Sequence, residues 1–529
     1  MSSEIYPVLI DGQWRAANAV GTFQATNPNN LQPLPAVFPV SSWADCDAAL
    51  TAAADAAKQL RRMPAAKIVE FLNAFADQVG AAKEALVQTA FAETGLAVSP
   101  RLADVELPRT ANQLRQAATA AASGDWARPI IDTKAGIRSC FEALGPVCVF
   151  GPNNFPFAFN SAAGGDFAAA IAAGNPVIAK ANSSHPDTTR LFAELATHAL
   201  KATELPPATV QLLYRTGHSD GERLVSDPRC GATGYTGSRR AGLALKAAAD
   251  RAGNPIYLEL SSVNPVVITP DALKQRGDAI ADEYVTSALM GTGQFCTNPG
   301  LVLLIACEES EAFISQIQQR YQDSMPGTLL SPAVANSLAN SLQTLQQAGA
   351  QLLTASGEKI QDRCAVSNTL LRCSGAQFLS DPETYQTEAF GNASLVVVAE
   401  GFAEAAAILA ALEGSLTGCL YTATDGSDQE TYNTLAFELT PKVGRLLNDK
   451  MPTGVAVSAA MNHGGPFPAT GHPGFTAVGM PTAISRFAKL TCYDNVRPER
   501  LPALLADQNP TGKTWRLIDG QWSQASIDA

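Results

Sequence analysis

Apolar and polar positions are spaced in different ways along the chain. Over residues 44–118 apolar side chains, many of them alanine, recur every three to four positions, and stretches 46–60 and 65–79 carry clear helical stripes. Over 144–305 short continuous apolar runs alternate with helical stretches. Runs 145–150, 177–181, 210–214, Ala232–Thr236 and 256–260 read as strands, with helices predicted over 161–173, 187–200, 220–226 and Arg239–Ala252 between them. That alternation predicts βαβ units and a mostly parallel, doubly wound sheet, a fold that takes ligands outside the carboxyl ends of its strands. A further strand at 264–268 opens a second α/β unit expected over 265–460, in which Gly-Thr-Gly-Gln-Phe-Cys-Thr-Asn-Pro-Gly precedes the strand Leu301–Ile305.

The two ends of the chain share a motif. Leu-Ile-Asp-Gly-Gln-Trp occupies residues 9–14 and again 517–522. An Asp-Gly pair between strand formers predicts a tight hairpin. Two copies at opposite termini do not make a stacked repeat array, so two independent hairpins are expected.

Composition narrows the classes. The 529 residues are 46% hydrophobic and 16% charged, apolar enough for large cores and too apolar for disorder. Lys and Arg total 37 against 49 Asp and Glu, a net charge of −12, which makes nucleic acid and anionic membranes poor partners. Ten cysteines show no Cys-x-x-Cys pairing and no zinc-type spacing with the five histidines, so reduced thiols and no metal are expected. Glu4 stands where a secretory leader would be basic, and the most apolar helical stretch, 405–412, is well short of a membrane span. A cytoplasmic protein is expected, with no membrane partner.

Three residues carry candidate chemistry. Cys296 lies among Gly291, Gly293 and Gly300, where backbone amides come close to the thiol; it reads as a nucleophile or as a buried loop cysteine. Asn154, in Phe-Gly-Pro-Asn-Asn-Phe-Pro after the first strand, reads as a neutral oxyanion donor or as a turn residue. Glu259 ends a strand between Leu258 and Leu260, where burial would raise its pKa and favour a general base; a structural carboxylate is the alternative.

Their order along the chain resembles the aldehyde dehydrogenase superfamily nearly end to end. The motifs that carry the resemblance are Asn154 in NNFP, Lys180 in VIAKANSS, YTGS at 235–238, Glu259 in ELSSVNP, Cys296 in GQFCTNPG, and Glu388 with Phe390 in EAFGN. The resemblance implies an NAD(P)-dependent enzyme in which Cys296 attacks an aldehyde and passes through a thiohemiacetal and a thioester. Asn154 and the Cys296 N–H would hold the oxyanion, and Glu259 would activate the hydrolytic water. Lys180 would bind the adenosine ribose, Ser238 the pyrophosphate and Glu388 the nicotinamide ribose, with Phe390 packed beside it. It further implies an aldehyde dehydrogenase-like α/β architecture: two doubly wound α/β domains plus a small β oligomerisation element. Residues 1–124 and 146–262 would bind coenzyme, 263–480 would form the catalytic domain, 125–145 and 481–500 the oligomerisation element, and 501–529 a tail. A homodimer or homotetramer is implied.

Departures from the family pattern refine this. Asn153 replaces the usual aromatic, Ala181 the usual proline, and Ser183 the acidic residue three positions after Lys180. A carboxylate there would repel a 2′-phosphate and a serine accepts it, so NADP is expected over NAD, with His218, Arg239 and Arg240 as further candidates; a solvated helix start is the alternative reading of the last two. The variant motifs NHGGPFPAT and RFAKLTCYDNVRPERLP resemble the α-ketoglutarate semialdehyde dehydrogenase branch, with NADP-linked fatty aldehyde dehydrogenases close by. A carboxylated aldehyde needs a cation or several donors in the substrate tunnel; Arg109 leads, with Arg101 behind it, and the alternative reading of Arg109 is a surface helix residue. Phe155, Phe159, Phe295 and Phe467 are expected to form the tunnel walls.

Overall fold

The strands that read as unbroken apolar runs are central. In the computed structural model, which describes residues 4–354 and 359–527, Val147–Phe150, Val177–Lys180 and Val210–Leu213 are buried nearly throughout. Burial on both faces explains why their sequences do not alternate. They lie in a seven-stranded sheet ordered Ile256–Glu259, Ala232–Thr236, Val147–Phe150, Val177–Lys180, Val210–Leu213, then the hairpin Val8–Ile10 and Gln13–Arg15. All pairs are parallel as far as Val210–Leu213, and the N-terminal hairpin closes the edge antiparallel. The chain winds outward from Val147–Phe150 in both directions. A crevice therefore opens beyond Phe150 and Thr236, where the connections diverge.

The helix predicted over 161–173 starts later, at Gly165. The preceding residues are held in turns by side chains. Glu106 Oε1 accepts from the backbone N–H groups of Phe157 (2.8 Å) and Ala158 (3.0 Å), and Asn160 Oδ1 accepts from Ala162 N (2.9 Å). Such side-chain acceptors compete with the helical ladder. The alanine-rich helices Ala65–Ala81 and Leu107–Ser123 share one core, with Phe71, Phe75, Leu114 and Ala117 fully buried together.

A second seven-stranded sheet is ordered Gln351–Leu352, Thr369–Ser374, Ala393–Ala399, Leu301–Ile305, Pro265–Ile268, Ser415–Tyr421, Val443–Asn448. It is parallel except at the Gln351–Leu352 edge. A third sheet of five strands pairs Ala488–Asp494 with Ile137–Ala143 and carries the C-terminal hairpin Arg516–Ile518 and Gln521–Ser523. The two Asp-Gly motifs are both hairpins, in different sheets. Asp11 and Gly12 have φ of 52° and 70°, and Asp519 and Gly520 have 48° and 84°, the paired positive values of a type I′ turn. No described helix is long and apolar enough to cross a membrane.

Candidate active site

Cys296 is carried on a loop that only this sequence of small residues permits. Gly291, Thr292 and Gly293 are all left-handed, with φ of 56°, 60° and 67°. A side chain at Gly293 would place its Cβ 2.0 Å from the carbonyl oxygen of Gly391, so the cysteine loop and the segment bearing Glu388 and Phe390 meet backbone to backbone. Asn264 Nδ2 fixes the far side of the loop, donating to the carbonyls of Cys296 (2.8 Å) and Asn298 (2.9 Å).

Asn154 is buried beside this loop, and its Nδ2 donates to the Gln294 carbonyl at 2.9 Å. Its own carbonyl accepts from Arg101 Nη2 at 2.7 Å, and Arg101 in turn pairs with buried Glu106 at 3.2 Å. The same glutamate that breaks the helix after Asn154 thus anchors the arginine that grips Asn154.

Glu259 ends the strand Ile256–Glu259, and its Oε1 lies 2.9 Å from His463 Nε2. The same Nε2 is 3.4 Å from Cys296 Sγ. Burial pushes the Glu259 carboxyl up, as expected from sequence. The attraction and hydrogen bond of His463, with the hydrogen bond from Cys296, overcome burial and leave the carboxyl below its ordinary value. The expectation of a raised pKa is corrected on that ground. Cys296 moves the other way: burial, then the charge and hydrogen bond of Glu259, push the thiol well above its usual range, with Arg109 opposing. The directions of the two shifts leave the sulfur a thiol and the carboxyl ionised.

Aromatic side chains wall this centre. Phe155 makes edge contacts with Phe159 (5.2 Å between centroids) and Phe295 (5.4 Å), and Phe159 lies 5.7 Å from the His463 ring. Arg109 sits over Phe159 at 5.4 Å and Phe155 at 5.8 Å. Its Nε donates to Gln113 Oε1 at 2.9 Å, while its buried Nη2 has no hydrogen-bond partner among the described residues. Phe467 does not join this wall. It is 54% exposed and lies 5.5 Å from the guanidinium of Arg239, which is paired with Glu413. The cis peptide Phe467–Pro468 belongs to a turn on the Ser262 side of the site.

Lys180, Ser183, His218 and Ser238 are brought together in a cleft of about 700 Å³ at the crevice of the first sheet. Arg215 and Arg240 also line it, and Glu222 is its one acidic lining residue. Burial, then the charge of Arg215, lowers the Lys180 ammonium to about 8. Ser238 stands at the N-terminus of the helix Arg239–Ala252 without a side-chain bond to it, and the free N–H groups there suit a phosphate. A dinucleotide fits this donor set: hydroxyls, cations and a helix N-terminus. Glu388 and Phe390 face a neighbouring cavity with Ser262 and Phe295. Burial lifts Glu388 to about 7 although Ser262 N donates to it at 3.2 Å.

His463, Glu106 and Arg215 escape a reading of local motifs. His463 lies 204 residues from Glu259 and 167 from Cys296, and only the fold brings them together. A lone histidine in Asn-His-Gly-Gly-Pro carries no spacing signal of its own.

A partly exposed thiol in a glycine-built loop, faced by a buried amide and a carboxylate, stands beside a dinucleotide-sized cleft in a doubly wound fold. These features suit the thiol chemistry of an NAD(P) oxidoreductase. Residues 14–465 match the aldehyde dehydrogenase family, and the chain belongs to that family. It is 40% identical over 525 residues to α-ketoglutaric semialdehyde dehydrogenase 2 of Azospirillum brasilense, covering 97% of this chain and 98% of that one. It is 35% identical over 527 residues to the α-ketoglutaric semialdehyde dehydrogenase of Acinetobacter baylyi, covering 98% of each. Among solved structures, a variant of Thermus thermophilus 1-pyrroline-5-carboxylate dehydrogenase superposes with a TM-score of 0.80 at 21% identity, covering 93% of each chain. Aldehyde dehydrogenase C of Pseudomonas syringae, a variant complexed with NAD+ and octanal, gives 0.78 at 20% identity, covering 94% of this chain and 98% of that one.

Proposed function

We propose that the enzyme oxidises 2,5-dioxopentanoate, the semialdehyde of 2-oxoglutarate, to 2-oxoglutarate, with NADP preferred over NAD. The observation that carries the substrate class is the buried, unpartnered Nη2 of Arg109 against Phe155 and Phe159, within electrostatic reach of Cys296. A free guanidinium donor in an aromatic wall suits a carboxylate at the far end of a short aldehyde. The names of the Azospirillum and Acinetobacter relatives agree with that class. NADP preference is supported by Ser183 in place of a carboxylate and by Lys180, Arg215, His218 and Arg240 around the same cleft.

The chain's residues divide the chemistry as follows. Cys296 hands its proton to the Glu259–His463 pair as the sulfur adds to the aldehyde carbon, forming the C–S bond of a thiohemiacetal. Asn154 Nδ2 and the Cys296 backbone N–H hold the oxygen that takes the negative charge. The coenzyme, when bound, supplies the hydride acceptor. Lys180, Ser183 and Ser238 would hold its adenosine end, with Glu388 and Phe390 at the nicotinamide ribose. Glu259 then takes a proton from water as that water attacks the thioester, and cleavage of the C–S bond releases the acid and restores the thiol. Arg101 keeps Asn154 in register throughout, through the Asn154 carbonyl. Assembly as a homodimer or homotetramer through the five-stranded sheet is part of the proposal, supported by Leu490, 60% exposed on the edge strand Ala488–Asp494.

The test is kcat/KM for 2,5-dioxopentanoate, glutaraldehyde and decanal, each with NADP and NAD. The expected order places 2,5-dioxopentanoate with NADP first. A preference for decanal would reject the carboxylate reading in favour of a fatty aldehyde, and equal use of NAD would reject the coenzyme preference.

A further inference from the structure

The contact between Cys296, His463 and Glu259 has a second chemical meaning. One ligand atom from each, the cysteine sulfur, the imidazole nitrogen and a carboxylate oxygen, lie within 4.8 Å of one another, the one such group of metal-ligating side chains found among the described residues. We propose that these three side chains form a latent site for a divalent ion of the zinc class, and that its occupancy reversibly silences the enzyme.

Geometry carries the argument. Zinc holds sulfur at about 2.3 Å and imidazole nitrogen at about 2.05 Å, so a tetrahedral angle separates the two donors by about 3.5 Å. The separation from Cys296 Sγ to His463 Nε2 is 3.4 Å. The corresponding nitrogen-to-oxygen edge is about 3.3 Å. His463 Nε2 and Glu259 Oε1 stand at 2.9 Å, so the carboxylate needs to withdraw by only a few tenths of an ångström. Glu259 Oε2 is buried with no hydrogen-bond partner among the described residues and is free to take up the coordination itself.

Donor chemistry selects the ion. One thiolate, one imidazole and one carboxylate form a mixed sulfur, nitrogen and oxygen set, which suits zinc and excludes magnesium and calcium, whose shells are oxygen. Three protein ligands leave a fourth position for water. Thiolate and carboxylate together carry the −2 that a dication neutralises, so a site costly to hold as two buried anions becomes neutral when filled. Binding releases the cysteine proton to solvent, and the hydrogen that His463 Nε2 donates to Glu259 moves to Nδ1 or to solvent so that the nitrogen can ligate. The sulfur lone pair, the base and the imidazole are then all committed to the ion, and addition to an aldehyde is blocked until it is removed. Without His463 the cluster would offer two ligands and no closed site.

The experiment uses metal-free full-length enzyme. Zinc titrated against a chromophoric chelator is expected to bind at one equivalent per chain, with activity lost in parallel and restored by EDTA. Cobalt(II) serves as the spectroscopic probe. It is expected to give a thiolate-to-metal charge-transfer band in the near ultraviolet and visible bands of tetrahedral intensity. Cys296→Ser should abolish the charge-transfer band, and His463→Gln should weaken binding at least about tenfold. His463→Asn and far-ultraviolet circular dichroism separate loss of a ligand from loss of fold. A band that persists in Cys296→Ser, no band in the wild type at one equivalent, or folded His463 variants that bind as tightly as wild type would each overturn the proposal.

Discussion

His463 Nε2 stands 2.9 Å from Glu259 Oε1 and 3.4 Å from Cys296 Sγ, so one nitrogen touches both the proposed base and the proposed nucleophile. It stabilises the ionised carboxylate against burial by donating its Nε2 hydrogen to Glu259 Oε1, with the thiol sulfur in contact with the same nitrogen. Replacing it with glutamine removes the interaction that offsets desolvation, and the Glu259 carboxyl then moves upward in pKa. A depressed carboxyl stays ionised as pH falls until its own low pKa is reached; once raised, it protonates earlier. His463→Gln is expected to shift the acid limb of the kcat profile to higher pH and to lower kcat more than it changes KM. A pH–rate series on wild type and variant measures both.

Arg109→Gln tests the far end of the substrate. A charge-assisted hydrogen bond contributes about 1.5–3 kcal/mol, which corresponds to about 10- to 150-fold in kcat/KM. That loss is expected for 2,5-dioxopentanoate, with little change for decanal. The ratio of the two specificity constants is the measurement, because damage to the reacting centre would lower both.

Coenzyme affinity should depend on pH in a defined direction. Burial, and then Arg215, bring the Lys180 ammonium down to about 8. The cation is present below that pH and is lost as pH rises through it. Binding of NADPH, followed by fluorescence titration from pH 7 to 10, should weaken above about 8. In a companion variant, Ser183→Glu should raise the KM for NADP at least about tenfold while leaving that for NAD nearly unchanged, since a carboxylate repels only the extra phosphate.

Glu106 is predicted to be a stability residue as well as a positioning one. It accepts two backbone N–H groups and pairs with Arg101 from a fully buried position. Glu106→Ala leaves those donors unpaired and the guanidinium without its counter-charge, at a cost of about 3–5 kcal/mol. Denaturant unfolding measures that loss. Arg101→Met, which frees the Asn154 carbonyl, should lower kcat with a smaller stability change.

What could be read from the chain were features whose cause is local. The strand Leu301–Ile305 and the helix Arg239–Ala252 follow from unbroken apolar runs and a helical stripe, and they fall where the pattern puts them. Both Asp-Gly hairpins are likewise written in adjacent residues. The late start of the helix at Gly165 was not legible, because Asn160 Oδ1 takes the Ala162 N–H and the turns before it are held by the Glu106 carboxylate more than fifty positions earlier. The direction of the Glu259 shift was misjudged for the same reason: burial is visible from Leu258 and Leu260, whereas His463 arrives from the far end of the chain. Phe467, grouped with the tunnel aromatics by its place in a motif, is turned instead toward Arg239 by the fold.

The backbone-to-backbone fit of Gly293 against Gly391 has a mechanical consequence. With no side chain between them to act as a compressible cushion, neither segment can slide without displacing the other. A push on Glu388 and Phe390 is therefore transmitted to the loop that carries the sulfur. Even a single methyl group at position 293 would force the two segments apart.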